Sequence, residues 1–180
     1  YEDDYHYGNR PNEIYIPRFK NVGKQQTTFF RGYGFQGGAG RMDWRGTHAE
    51  ESGFGKGFKE KLQQPGPWGV GLVGFGESLP RYENTIKLSE TKVDRFGIPQ
   101  VAFNFEWTDN ELEMREDMAK EGEAILKATG AIDIVTSAQI DPGGGAIHEM
   151  GTARMGRDPK NSVLNRHNQS HDVPNLFVTD

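Results

Sequence analysis

The sequence predicts an α+β fold: a largely antiparallel β-sheet with one long amphipathic helix and a few short helices packed on one face, joined by long glycine-rich loops. Three observations carry this. Runs of aromatic and β-branched residues recur at EIYIPRF (Glu13 to Phe19), TTFFRGYGF (Thr27 to Phe35), TIKL (Thr85 to Leu88) and QVAFNFEW (Gln100 to Trp107), and such residues suit a pleated, half-buried surface. Among the stretches between Thr27 and Thr129, Thr108 to Thr129 stands out by sustaining helical spacing. Glycine contributes 24 of the 180 residues, far more than regular elements need, so the surplus belongs to loops and close approaches.

In chain order, the polar segment YEDDYHYGNRPN at Tyr1 to Asn12 is irregular and too polar for a signal peptide. Glu13 to Phe19 alternates as a short strand that Pro17 confines to a sheet edge or a strand end. Thr27 to Phe35 is a stronger strand, with Phe30, Gly32, Gly34 and Gln36 on one face and Phe29, Arg31, Tyr33 and Phe35 on the other. Gln36 to Gly57 reads as a long glycine-rich excursion containing His48, and Phe58 to Gln63 as a short helix stopped by Pro65 and Pro67.

Trp68 to Glu77 (WGVGLVGFGE) contains Gly69, Gly71 and Gly74 in the dinucleotide spacing GxGxxG. That fingerprint acts only where it follows a strand and opens a helix. Here prolines precede it and a turn with a second β-run follows, so the stretch is predicted to be a close-packed strand. Thr85 to Leu88 and Gln100 to Trp107 form an antiparallel pair across Asp94 to Gly97, with Val101, Phe103, Phe105 and Trp107 expected on a buried face.

The helix of residues 108 to 129 opens on a capping box of Thr108 and Glu111 and closes at Gly130. Leu112, Met118 or Ala119, Gly122, Ile125 and Leu126 form its apolar stripe; Glu113, Glu116, Asp117, Lys120 and Lys127 face water. Ala131 to Ile140 reads as a further strand, and Leu176 to Asp180 as an apolar strand ending in an acid.

Composition narrows the function classes. The 21 basic and 26 acidic residues leave a net charge of −5, which offers no electrostatic footprint for nucleic acid. No apolar run approaches the length of a membrane span. The absence of cysteine excludes disulfides and thiolate metal sites. Twenty aromatic residues, eleven Phe, six Tyr and three Trp, argue for a packed globule. These traits fit a soluble protein of cytoplasm or periplasm alike.

The stretch AIHEMGTARMG, Ala146 to Gly156, follows the triple glycine Gly143 to Gly145. Glycine-flanked backbone can pass close to a bulky ligand, which lets His148 sit at the floor of a pocket. A histidine beside glycines is more often an ordinary loop residue, and only further context raises it to a catalyst. His148-Glu149 opens like a zinc-protease motif, but Thr152 stands where the second histidine is required, so no metal site is expected.

His148, GTARMG (Gly151 to Gly156), Asp158-Pro159, Ser162 to Asn165 and VPNLFVTD (Val173 to Asp180) together resemble the C-terminal signature of the glucose-methanol-choline (GMC) flavin oxidoreductases. LPRYENTIKLSE, DRFGIPQ and VAFNFEW, within Glu77 to Trp107, resemble the substrate-domain strands of the pyranose oxidase and sugar dehydrogenase branch of that family. The resemblance implies an FAD-dependent oxidation of an alcohol group on a sugar or polyol, in which histidine suits the base role because neutral imidazole is available near neutral pH. It makes His148 the catalytic base, and Gln36 and Glu77 candidate hydroxyl-binding groups. Asp180 becomes a flavin contact in the complete enzyme.

The resemblance also implies residues 1–142 as a substrate-binding domain and 143–180 as the catalytic-histidine loop returning into an FAD domain carried elsewhere in the parent enzyme. An Asn or second His that pairs with the base is expected beyond Asp180, and the isolated 180-residue stretch is expected to be inactive. The competing expectation is a non-catalytic carbohydrate-binding or subunit-interaction module of the same descent.

Overall fold

The computed structural model of the chain describes residues 13–42, 53–64, 66–140, 142, 143, 145, 148 and 150–179. It is α+β, with antiparallel sheets and two helices among the described residues. The chain divides into two compact units: residues 1–79 with 107–139, and residues 80–106 with 140–180.

The first unit is built on three antiparallel strands in the order β1 (Ile14–Ile16), β2 (Tyr33–Arg41), β3 (Trp68–Gly76). β1 is an edge strand and ends where Pro17 can no longer donate to the ladder. β2 and β3 pair along their whole length, from Tyr33↔Gly76 to Arg41↔Trp68. The GxGxxG spacing of Gly69, Gly71 and Gly74 therefore lies within a strand.

The strand expected from Thr27 begins only at Tyr33, and the reason is Asn21. Its side-chain carbonyl accepts the N–H groups of Gln26 (2.8 Å) and Thr27 (3.2 Å), and its amide donates to the carbonyls of Phe29 (3.0 Å) and Arg31 (2.7 Å). A side chain that satisfies local backbone in this way offers the chain an alternative to a sheet ladder. β2 in turn runs on to Arg41, so residues 36–41 of the expected excursion are strand. His48 lies outside the described residues.

Two helices follow the strands. α1 (Lys56–Leu62) is short and buries no residue. α2 (Asp109–Ala128) carries Thr108 as its N-cap, with the Thr108 N–H donating to Glu111 Oε2 at 2.9 Å. It ends in a paired motif in which Gly130 donates to Lys127 O and Ala131 to Leu126 O, the signature of a glycine stop. α2 lies on the sheet face that carries Phe35 and Leu72. It approaches closely because Gly74 and Gly76 present no side chain: a Cβ on Gly74 would overlap Met118 Sδ, and one on Gly76 would lie 2.7 Å from Met114 Sδ.

The core is small and aromatic. Phe29, Tyr33, Phe35 and Met114 are buried, with Ile16, Leu72, Met118 and Ile125 packed around them. Tyr33 meets Phe35 edge to face at 5.5 Å and Phe19 at 6.0 Å, arrangements that suit the ring quadrupoles.

In the second unit, β4 (Thr85–Val93) pairs antiparallel with β5 (Pro99–Asn104), with an irregularity between Leu88 and Val93. Asp94 closes the turn by accepting the N–H groups of Phe96 (2.8 Å) and Ile98 (2.9 Å). Ile86↔Phe103 and Leu88↔Val101 share one face, but that face is not buried as expected: Val101 is 54% exposed and Phe103 51%. Alternation identifies which residues share a face, and a two-stranded ribbon supplies no second layer of its own to cover it. Trp107, expected on the same face, lies in the first unit and is also exposed.

Two further expected strands do not form. Residues 131–140 are irregular, with Ile132 83% and Val135 91% exposed, because no described strand lies alongside to pair with them. The stretch from Leu176 makes a single bridge, Gln169↔Phe177. Residues 151–178 instead fold as linked turns around Leu164, which is buried and bridges both Met155 and Ser170.

Candidate active site

The segment carrying His148 belongs to the second unit, where close backbone packing holds it on both sides. On its N-terminal side, Gly143 lies against Phe105, the residue that follows β5 by one: a Cβ on Gly143 would overlap the Phe105 Cβ and ring. Gly145 donates to Pro142 O at 3.1 Å, closing a turn. On the C-terminal side, a Cβ on Gly156 would lie 2.7 Å from Ser162 Cβ, and Gly156 N–H donates to Leu164 O at 2.8 Å. Between these two anchors His148 is exposed, and Gly151 has φ of 105° with open space where a Cβ would project. The imidazole of His148 therefore stands at the surface between two closely packed glycines.

Gln36 and Glu77 belong to the first unit. Gln36 is exposed on the sheet face opposite α2, where it pairs with Tyr15 of β1 and Val73 of β3. Gly38 and Gly71 pair two positions further along the same face, and Gly71 has open space beside it. Glu77 follows β3 directly, donating its N–H to Gly32 O at 3.2 Å and setting Oε1 3.3 Å from Arg31 Nε. Both side chains of that pair are about half exposed, so the ion pair is weak and can be exchanged for a ligand at little cost. The rows of Gln36 and Glu77 lie four residues apart along β3, about 13 Å at 3.3 Å per residue. They stand on one face without meeting. Asp180 lies outside the described residues.

Among the described residues, no group of three or more His, Asp or Glu is placed to hold a metal ion. No described helix is long and apolar enough to cross a membrane. No periodic signal in the sequence marks His171, whose ring reaches Gly156 from fifteen residues away.

A sequence model of the GMC oxidoreductase family matches residues 80–180, more than half of the chain. The chain belongs to the GMC oxidoreductase family. The match covers the second unit and with it His148, Gly143 and Gly156. Curated relatives agree. The 2-methyl-1,2-propanediol dehydrogenase of Mycolicibacterium austroafricanum is 36% identical over 106 residues, which is 59% of this chain and 19% of the relative. The gluconate 2-dehydrogenase flavoprotein of Pantoea cypripedii is 31% identical over 116 residues, 61% of this chain and 19% of the relative. The fructose dehydrogenase large subunit of Gluconobacter japonicus is 27% identical over 124 residues, 69% of this chain and 22% of the relative. The chain thus spans about a fifth of the length of the curated relatives it matches.

Membership raises the question of flavin, and the described residues answer it unevenly. The nucleotide half of FAD needs a glycine turn opening a helix, and Gly69, Gly71 and Gly74 of this GMC chain are committed to sheet pairing. They do not fit that half. His148 is exposed and nothing stands where a Cβ on Gly151 would project, so neither position obstructs the approach of a planar group.

Proposed function

We infer that this chain carries the base and substrate-contacting portion of an FAD-dependent oxidoreductase that oxidises an alcohol group of a sugar or polyol. The observation that supports it is the presentation of His148: an exposed imidazole between two close-packed glycine anchors, inside the stretch that matches the GMC family. The names of the relatives point to the same substrate class, since a propanediol, gluconate and fructose all offer an oxidisable carbinol.

Bound flavin supplies the two-electron acceptor for the carbinol C–H. His148 accepts the hydroxyl proton as the carbonyl forms, and a preorganised base of this kind contributes about 10²- to 10⁴-fold. Gln36, with an amide that both donates and accepts, orients substrate hydroxyls from the sheet face. Glu77 does so once its exposed pair with Arg31 opens. By the family resemblance Asp180 would serve as a flavin contact, and residues 1–142 and 143–180 as the substrate-binding and catalytic portions.

The test is the full-length protein with His148→Ala and His148→Asn, assayed against a panel of sugars and polyols with an artificial electron acceptor. Turnover should fall by about 10² or more while flavin content is retained. Equal rates in wild type and both variants would remove His148 from the mechanism and leave a non-catalytic module as the better description.

A further inference from the structure

We propose that His171 is a positioning residue for His148, acting through an Nε2–H that clamps the backbone of Gly156. Its Nε2 lies 3.1 Å from Ser162 Oγ and 3.2 Å from Gly156 O. A carbonyl oxygen can only accept, so the contact with Gly156 requires Nε2 to carry the hydrogen. Ser162 has one hydroxyl hydrogen, which it gives to Asp158 O at 2.7 Å, so its Oγ accepts from Nε2 as well. One N–H is therefore shared between Gly156 O and Ser162 Oγ, and this requires a hydrogen on Nε2.

The rest of the clamp is built around the same point. Gly156 N–H donates to Leu164 O at 2.8 Å, His171 N–H to Val163 O at 3.0 Å, and Val163 N–H to Arg154 O at 3.0 Å. Arg154 Nε donates to Asn161 O at 2.6 Å. Gly156 is thus bound through both its N–H and its C=O, and Ser162 fills the space where a side chain would stand. His171 is partly buried and belongs to the same unit as His148.

A segment held at only one end would not fix His148. The eight residues from His148 to Gly156 could reach about 27 Å if fully extended. The packing of Gly143 on Phe105 holds the other end, five residues before His148. Releasing the Gly156 anchor frees the imidazole to move relative to a substrate. A displacement of about 1 Å at a reacting group can cost about 10²-fold in rate.

This inference rests on His148 being the base, and its test separates the two claims. His171→Phe keeps the ring volume without the donor, and His171→Gln restores an N–H near the Nε2 position. In the full-length enzyme, His171→Phe should lower kcat about tenfold or more with KM and flavin content little changed. His171→Gln should recover most of that loss. In a His148→Ala background, His171→Phe should cost nothing further, because the residue it positions is gone. A purely structural histidine would lower yield or Tm and leave the kcat of the folded fraction intact. Unchanged kcat in His171→Phe, no recovery in His171→Gln, or an equal loss in the His148→Ala background would each overturn the proposal. If His148→Ala itself retains full rate, the functional reading falls and this inference with it. If His148→Ala loses its rate while His171→Phe keeps the wild-type kcat, this inference alone falls. Should His171→Phe fail to fold, the wild-type protein decides: long-range 1H–15N spectra with 15N-histidine should show His171 protonated at Nε2, and a dominant Nδ1–H form would refute the clamp.

Discussion

Leu79 and Glu111 lie thirty-two residues apart, and the Leu79 N–H donates to Glu111 Oε1 at 2.9 Å. The other oxygen of the same carboxylate accepts the Thr108 N–H at 2.9 Å. One side chain therefore caps the long helix and ties the exit of β3 to it. Burial alone would raise the Glu111 carboxyl, but hydrogen bonds from Leu79 and Thr108 outweigh it and hold it below the ordinary carboxylate range. A depressed folded value means that the stabilisation is complete above the unfolded value, about 4.3, and is lost as pH falls through the folded one. Glu111→Ala should cost about 1–2 kcal/mol at neutral pH in chemical denaturation and flatten the acid limb of stability. An unchanged acid limb would show that the carboxylate is not linked to folding.

Tyr33, Asp117 and Lys20 form a second tie between sheet and helix. The Tyr33 hydroxyl and the Lys20 ammonium, at 2.8 Å, both donate to Asp117 Oδ2, and Lys20 also meets Glu121 at 2.9 Å. Burial opposes the charge on Asp117 and on Lys20, yet their mutual hydrogen bonds prevail, so Asp117 is lowered and Lys20 raised. Burial and then Asp117 both raise Tyr33. The Asp117 contribution is present above about pH 4 and fades in acid; those of Lys20 and Tyr33 are present below about pH 10 and fade in alkali. Asp117→Asn should therefore lower stability most between these limits, by about 1–3 kcal/mol, and Tyr33→Phe by less, since it removes one donor and leaves the ion pair. A larger loss from Tyr33→Phe than from Asp117→Asn in thermal or urea unfolding would contradict this order.

The sequence made part of this visible and hid the rest for identifiable reasons. The capping box of Thr108 and Glu111, the proline-limited edge strand and the strand reading of Trp68 to Gly76 are local, so spacing alone revealed them. The start of β2 was misplaced because Asn21, six and more residues upstream, takes over the backbone of Thr27 to Arg31. The burial of Val101 and Phe103 could not be read because alternation says nothing about a covering layer. His148 stands out in the sequence through its motif, whereas the contacts of Ser162 and His171 with Gly156 join residues six and fifteen positions away and depend on the fold.

Gly71 and Gly74 share the GxGxxG spacing and face opposite steric conditions. Gly71 meets nothing within 4 Å of an added Cβ, and Gly74 would drive one into Met118. Gly71→Ala should leave Tm unchanged or slightly raised, because it removes unfolded-state freedom of about 0.4–1 kcal/mol, and should leave the flavin content of the full-length enzyme intact. Gly74→Ala should cost about 1–3 kcal/mol through overpacking. That cost should shrink in a Met118→Ala background, where the obstacle is gone. Loss of flavin in Gly71→Ala would mean that these glycines form a nucleotide cradle after all.

Gly143 offers the complementary way to disturb His148 without touching it. Because an added Cβ would overlap Phe105, Gly143→Ala must displace either the Phe105 ring or the backbone that leads to His148. The β4–β5 ribbon is antiparallel-paired up to Asn104, one residue before Phe105, so the ring's own backbone is the better held of the two. The displacement should fall on residues 143 to 148, lowering kcat about tenfold or more with little change in flavin content. Phe105→Ala clears the obstacle, so the double variant Gly143→Ala/Phe105→Ala should turn over faster than Gly143→Ala alone. A double variant no better than the single one would mean that the loss does not come from the approach of residue 143 to Phe105.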